Sequence, residues 1–262
     1  MNELNLKHNI NVDISMYNLN GHFTISAYQR MIMGMIEEHL DELNLGEKYL
    51  MENHGISWIL LSTSIELHRH IKPTDKLIGT TWHAGGRVPS FRRDFEFKDE
   101  NGEVVAVGAT VSTLFETEAR KICLSKEKLA VVDLESHAPV LESLERRLRT
   151  NSPQVVVEKR RVRPSMTDGV GHVNNTRYGD FVYDAMTDCE RDRLGELKRI
   201  DVWFNYELLT GDEFEIIKCC ENDDVICFSG RKLGADKNSF DVKLTFFDGK
   251  YAITDCREEY DK

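Results

Sequence analysis

The sequence predicts an α+β chain of two tandem units, each an antiparallel sheet wrapped around a central helix. Three observations predict it. Apolar residues at helical spacing recur in two segments, 24–43 and 175–189. Each segment follows a Gly-His pair, Gly21-His22 and Gly171-His172, with Tyr28 and Tyr178 at the same distance beyond, so the two copies are offset by 150 residues. Strand-rich sequence follows each helix, and such a unit buries its helix only by curling its sheet around it.

The elements follow in order. The first helix carries Ile25, Tyr28, Ile32, Met35, Ile36, Leu40 and Leu43 on one face. Strands are expected over 58–67, 76–84, 90–97 and 104–115, with Asp99-Glu100-Asn101-Gly102 as a hairpin turn. Residues 124–152 form a connector. It opens at the helix start Leu124-Ser125-Lys126-Glu127, has a charged helical pattern over 141–148, and ends at Asn151-Ser152-Pro153. The second helix carries Tyr178, Phe181, Val182, Ala185, Met186 and Cys189. Strands are expected over 200–206, 213–219, 225–230, 240–247 and 251–256, the last two joined at Asp248-Gly249. Each sheet reads as a meander. The domain bounds are therefore 1–123, a connector over 124–152, and 153–262.

Bulk properties narrow the function. The chain has 262 residues and a net charge of −11, which argues against a broad nucleic-acid surface. No apolar run approaches the ~20 residues that span a bilayer, and the polar start lacks a signal-peptide core. Six cysteines without framework spacing fit a reduced cytoplasmic location. No CxxC pair points to a metal, so neither a metal nor a cofactor is expected. A G-x-S-x-G elbow, a Walker A loop and a G-x-G-x-x-G fingerprint are all missing from the sequence.

Chemistry concentrates in Thr167-Asp168-Gly169-Val170-Gly171-His172-Val173-Asn174-Asn175-Thr176-Arg177-Tyr178. A carboxylate, an imidazole and two carboxamides stand just before a helix, whose first N–H groups and positive dipole end suit a developing oxyanion. Asp168 fits a general base acting on water, a direct nucleophile, or a plain turn residue. His172 fits a catalytic role or one in ordering the loop. Asn175 fits a helix N-cap, and Asn174 a group that positions substrate or water.

The run from Arg161 to Asn175 resembles the catalytic segment of hotdog-fold thioesterases. The wider layout resembles the acyl-[acyl-carrier-protein] thioesterases, which carry two hotdog units in one chain. Supporting matches are Gly55-Ile56-Ser57-Trp58, the 73–75 turn, Thr80-Thr81-Trp82, Arg93-Asp94-Phe95 with Asn101-Gly102-Glu103, Phe204-Asn205-Tyr206-Glu207, and Gly211-Asp212. The resemblance implies catalytic roles for Asp168, His172 and Glu207, and substrate or oxyanion positioning by Asn174 and Asn175. Two positions depart from the family pattern. Val170 stands where an Asn is usual, which brings the motif closer to single-hotdog acyl-CoA thioesterases. Leu208 stands where some plant members carry a Cys, so no thiol nucleophile is available there.

Subtracting 150 places Asn18 opposite Asp168, and Thr24 and Ile25 opposite the paired asparagines. One active site, in the second unit, is expected. The first unit is expected to hold the acyl chain, with Met31, Ile32, Met35 and Trp58 as lining. Lys159, Arg161 and Arg163, alternating on one strand face, are expected to dock an acidic carrier or the phosphates of coenzyme A; Arg87, Arg92 and Arg93 form a second basic group. The implied activity is hydrolysis of acyl-acyl carrier protein to free fatty acid. Two alternatives stay open: an acyl-CoA thioesterase of the same fold, and a non-catalytic acyl-binding hotdog protein. The two units can pair within one chain, so monomer and homodimer both fit.

Overall fold

A computed structural model describes residues 6–169 and 171–247. The chain divides into two compact units. The first comprises Met1–Val12, Met31–Ile65 and Thr74–Leu144; the second comprises Asp13–Arg30, Glu66–Pro73 and Glu145–Lys262. The loop over 13–24 and the first turns of the long helix thus belong to the second unit.

The first half holds β1 (His8–Ile10), α1 (Ile25–Glu42), α2 (Glu47–His54), β2 (Ile56–Leu67), β3 (Leu77–His83), β4 (Ser90–Lys98), β5 (Val104–Glu116), the short β6 (Lys121–Ile122) and α3 (Lys126–Ala130). The second holds β7 (Val155–Arg161), α4 (Arg177–Asp184), α5 (Asp188–Asp192), β8 (Leu197–Phe204), β9 (Glu213–Asn222), β10 (Val225–Lys232) and β11 (Phe240–Phe246). The strand orders are β1-β3-β4-β5-β2, with β6 beside β5, and β7-β9-β10-β11-β8. These are the same permutation, which establishes the duplication at the level of topology. They also correct the simple meander: in each half the strand that follows the helix pairs with the last long strand rather than with its successor.

The long helix forms as its periodicity predicts, with Ile25, Tyr28, Ile32, Met35 and Ile36 buried. Around α4, Tyr178 meets Phe240 at 4.5 Å and Phe181 meets Phe214 at 5.1 Å between ring centroids. Both sheets set a glycine opposite a phenylalanine, Gly108 against Phe95 and Gly230 against Phe240, and a Cβ at either glycine would strike that ring. The Asp99–Gly102 turn closes as expected: Gly102 takes φ +82, and Asp99 Oδ1 accepts from the amides of Asn101 and Glu103.

Two expected helices are revised. The segment 175–189 is broken, because Thr187 takes an extended backbone and starts α5 with a reciprocal cap. Its Oγ accepts from Glu190 N, and Glu190 Oε2 accepts from Thr187 N. Residues 141–148 form no helix. Their carbonyls go elsewhere: Leu141 O accepts from Arg92 at 2.6 Å, and Glu145 O accepts from the Trp203 indole at 2.8 Å. Leu141 packs on Val107 and Ala109 in the first unit, and Leu148 packs on Cys219, Val225 and Cys227 in the second. The connector is a strap that covers sheet surface. The expected 248–249 turn and 251–256 strand lie outside the described residues. No helix of the described residues is long and apolar enough to cross a membrane. Antiparallel sheets wrapped on central helices, twice in one chain, are the expected tandem hotdog architecture.

Candidate active site

The 163–178 segment is built as a tight, self-bonded loop. A 3-10 turn at Pro164–Met166 leads to Thr167, which bridges to Val173. Asp168 N donates to His172 O at 2.9 Å, Gly171 N donates to Asp168 O at 3.1 Å, and His172 N donates to Asp168 Oδ1 at 3.3 Å. Gly171 takes φ +84, a conformation that costs other residues strain. Asn174 N closes the loop on Met166 O at 3.0 Å.

The first half repeats this loop bond for bond. Ile14–Met16 is a 3-10 turn, and Tyr17 bridges to Phe23. Asn18 N donates to His22 O, Gly21 N to Asn18 O, and Thr24 N to Met16 O. Asn18 Oδ1 accepts from His22 N at 2.9 Å, the counterpart of the Asp168 bond. Carboxamide and carboxylate thus satisfy the same turn. The turn needs an acceptor oxygen and makes no use of a negative charge.

The second loop then pairs with the chain beyond β8. His172 bridges to Leu209, and Val173 N donates to Leu208 O at 2.9 Å. This pairing brings Glu207 to the loop, and His172 Nε2 lies 2.9 Å from Glu207 Oε2. Both side chains remain partly open to solvent, His172 at 39% and Glu207 at 46%. Leu208 is buried, so the side chain after Glu207 belongs to the core.

The asparagines sit at the helix entry in a different arrangement from the one expected. Asn174 Oδ1 accepts from Thr176 N at 3.0 Å and from Thr176 Oγ at 2.7 Å, so Asn174 closes the helix entry and keeps its Nδ2 as a donor. Thr176, in helical geometry, occupies the cap position itself, and Asn175 is not the N-cap. The Asn175 carbonyl accepts from Gln29 Nε2 at 3.4 Å.

Two residues beside the site were given no role there by sequence reasoning. Tyr178 is buried under the loop; burial pushes its phenol well above the usual range, and the carboxylates of Asp168 and Glu207 add to that. Its repeat partner Tyr28 was a visible signal, but it read only as a helix face. Gln29 lies against Gly179, where a Cβ would strike its Oε1 and come within 2.7 Å of Ser26 N. Glycine at 179 is what allows the start of α1 to lie on α4.

The other expected sites divide. Met31, Ile32 and Met35 are buried on α1, and Met35 fills the space left by Gly79. Trp58 is half-buried; its indole donates to Leu45 O at 3.0 Å and stands edge-on to Phe91. On β7 a bulge between Val156 and Glu158 interrupts regular alternation. Lys159 pairs with Glu215 at 3.4 Å, while Arg161 and Arg163 are exposed. Arg160 turns inward over the Phe181 ring and binds Glu158 and Asp184. The second basic group does not form a charged surface. Arg93 is buried, and Arg92 is tied to Asp94 at 2.6 Å and 2.8 Å beneath the connector.

The comparisons agree with this fold. Residues 3–130 match the model of the acyl-ACP thioesterase N-terminal domain, and residues 150–247 match that of the C-terminal domain. A comparison with curated protein sequences gives no match. Among solved structures, the chain is similar to an acyl-ACP thioesterase from Bacteroides thetaiotaomicron, with TM-score 0.80 and 19% identity over 94% of this chain and 100% of that one. It is also similar to the 12:0-ACP thioesterase from Umbellularia californica, with TM-score 0.76 and 13% identity over 92% and 96% of the two chains. At those identities the structures attest the fold, while the two domain models, which together cover most of the chain, carry the family. The chain belongs to the acyl-ACP thioesterase family and is a double-hotdog hydrolase of acyl thioesters carried by acyl carrier protein or coenzyme A.

Proposed function

We propose that the chain releases free fatty acid from acyl-acyl carrier protein at a single site formed by Asp168, His172 and Glu207. The observation that carries this reading is the 2.9 Å contact between His172 Nε2 and Glu207 Oε2, made by a loop that also holds Asp168. Glu207 orients the imidazole, and Asp168 supplies a carboxylate that its own turn does not require. Thioester cleavage needs an attacking oxygen and a site for the carbonyl oxyanion. Asp168 provides the first, as base to a water or as nucleophile. Asn174 Nδ2 and the entry of α4, with Asn175, provide the second.

The acyl chain lies against Met31, Ile32, Met35 and Trp58. Methionine is the adaptable filler of such a pocket, and substituting Met35 or Trp58 by another large apolar residue shifts chain-length preference. Arg161 and Arg163, with Lys159 at their flank, receive the acidic carrier; reversing the Arg161 charge lowers activity on carrier-protein substrates and spares short free thioesters. The protein acts in the cytoplasm, as monomer or homodimer. A second reading is favoured by Val170, which gives the motif the form seen in single-hotdog coenzyme A enzymes: hydrolysis of acyl-CoA at the same site. Matched acyl-carrier-protein and acyl-CoA series, assayed with wild type and Asp168→Asn, decide. Faster turnover of the carrier-protein series, abolished by the substitution, is the expected result. Turnover confined to the coenzyme A series selects the second reading, and full activity of Asp168→Asn overturns the site.

A further inference from the structure

Away from the active site, the first unit gathers an imidazole and two carboxylates from distant parts of the sequence. His8 lies on the edge strand β1, and Glu38 and Glu42 stand one helical turn apart on α1. One ligand atom from each lies within 4.8 Å of the other two. The carboxylates are exposed, whereas His8 is only 3% exposed. Its two ring nitrogens are divided between two environments. Nε2 lies 3.2 Å from Nδ1 of the fully buried His39, and Nδ1 lies 3.2 Å from Glu38 Oε2.

That division is the arrangement a ligating histidine needs. A metal-bound imidazole keeps its lone pair for the ion and donates its other N–H to an acceptor, which fixes tautomer and ring orientation. When His8 donates from Nε2 to His39 Nδ1, its Nδ1 lone pair faces the Glu38 carboxylate. Two electron-rich atoms held 3.2 Å apart need a proton or a cation between them. Glu42, beside them, adds a second anionic oxygen.

We propose that His8, Glu38 and Glu42 form a divalent-cation site that clips the three-residue strand β1 onto α1. One nitrogen and two carboxylate oxygens with an open fourth position is a ligand set for a borderline ion such as Zn²⁺ or Co²⁺, and a poor one for Ca²⁺, which takes six to eight oxygens. Among the described residues β1 pairs on one side only, with β3, so a cation that binds the folded unit and not the unfolded chain stabilises it by linkage.

The test uses the full chain, freed of any affinity tag and stripped with a chelator, titrated with Co²⁺ as a coloured probe. One equivalent is expected to give the intense visible absorption of a low-coordinate Co²⁺ ion, which Zn²⁺ then displaces, and to raise the melting temperature where Ca²⁺ does not. His8→Gln and Glu42→Gln are expected to remove both effects. Glu42 is exposed, so its variant tests the site without disturbing packing. His39→Gln is expected to weaken binding by about 10- to 100-fold through the outer hydrogen bond. Absence of the absorption in the wild type overturns the proposal, as does an unchanged titration in folded Glu42→Gln.

Discussion

The substitution Asp168→Asn separates the chemistry of the site from its architecture. The expected effect on stability is small, because the molecule already contains the product of that change: the Asn18 loop makes the same turn with the same bonds. The carboxamide introduced by Asp168→Asn keeps an oxygen to accept from His172 N, which lies 3.3 Å from Asp168 Oδ1, and the position is exposed. An exposed substitution that preserves its hydrogen bond alters stability by about 0.5 kcal/mol or less. The expected effect on rate is large, because an amide neither takes a proton from water nor forms an anhydride. Loss of a positioned base costs about 10²- to 10⁴-fold, or roughly 2.7–5.4 kcal/mol of barrier at 1.36 kcal/mol per tenfold. Thiol release under saturating acyl thioester gives kcat, and urea denaturation of the same preparations gives stability. A variant that keeps most of the wild-type kcat refutes the catalytic reading of Asp168. A variant that loses stability and activity together refutes the argument from the repeat.

Four further outcomes follow from the same geometry. Glu207→Gln is expected to lower kcat while changing stability by less than about 1 kcal/mol, since a half-exposed pair contributes little to folding; steady-state kinetics beside a urea melt checks this. Gly179→Ala pushes a methyl into Gln29 and the Ser26 backbone and is expected to cost about 1–3 kcal/mol, read from the urea midpoint. Lys218→Met removes the ion-pair contact that Lys218 makes with the fully buried Glu190 and is expected to cost about 3–5 kcal/mol, read the same way. Asn18→Asp is expected to fold normally and to add no turnover, because Thr24 and Ile25 replace the paired asparagines in that copy; a gain in kcat contradicts the single-site reading.

What the sequence displayed and what it hid have physical reasons. α1 was legible because its buried residues recur at one helical face over eighteen residues. α2 was not, because its one buried residue is Leu50, although Gly46 before it and Gly55 in the left-handed region after it do bracket it. The break before α5 was written in Thr187 and Glu190, a local capping pair hidden under apolar periodicity that runs through it. Alternation placed charges on strand faces but did not show that the connector covers the face of Arg92, and so Arg92 read as surface. The Asp168 loop was recognisable from contiguous residues. The contact between His172 and Glu207 depends on pairing across thirty-five residues, and only the family resemblance pointed to it. Gln29 acts through packing between helices and Tyr178 through packing of its helix on the sheet, which no local pattern encodes.

The two Gly-His loops share one scaffold and differ in what surrounds it. The backbone bonds are common to both, so the fold fixes the loop whichever side chain occupies its first turn position. The surroundings then diverge. His172 faces Glu207 and solvent, whereas His22 lies under Gly195, where a Cβ would come within 2.6 Å of its ring, and beside His70. Burial, with His22 next to it adding to the effect, holds His70 below the usual histidine range. Restoring a carboxylate at Asn18 would restore one acceptor oxygen's charge without restoring the open imidazole–carboxylate pair that His172 makes with Glu207. The first copy keeps the loop as structure, and the second keeps the same loop open, with carboxylates on either side of its histidine.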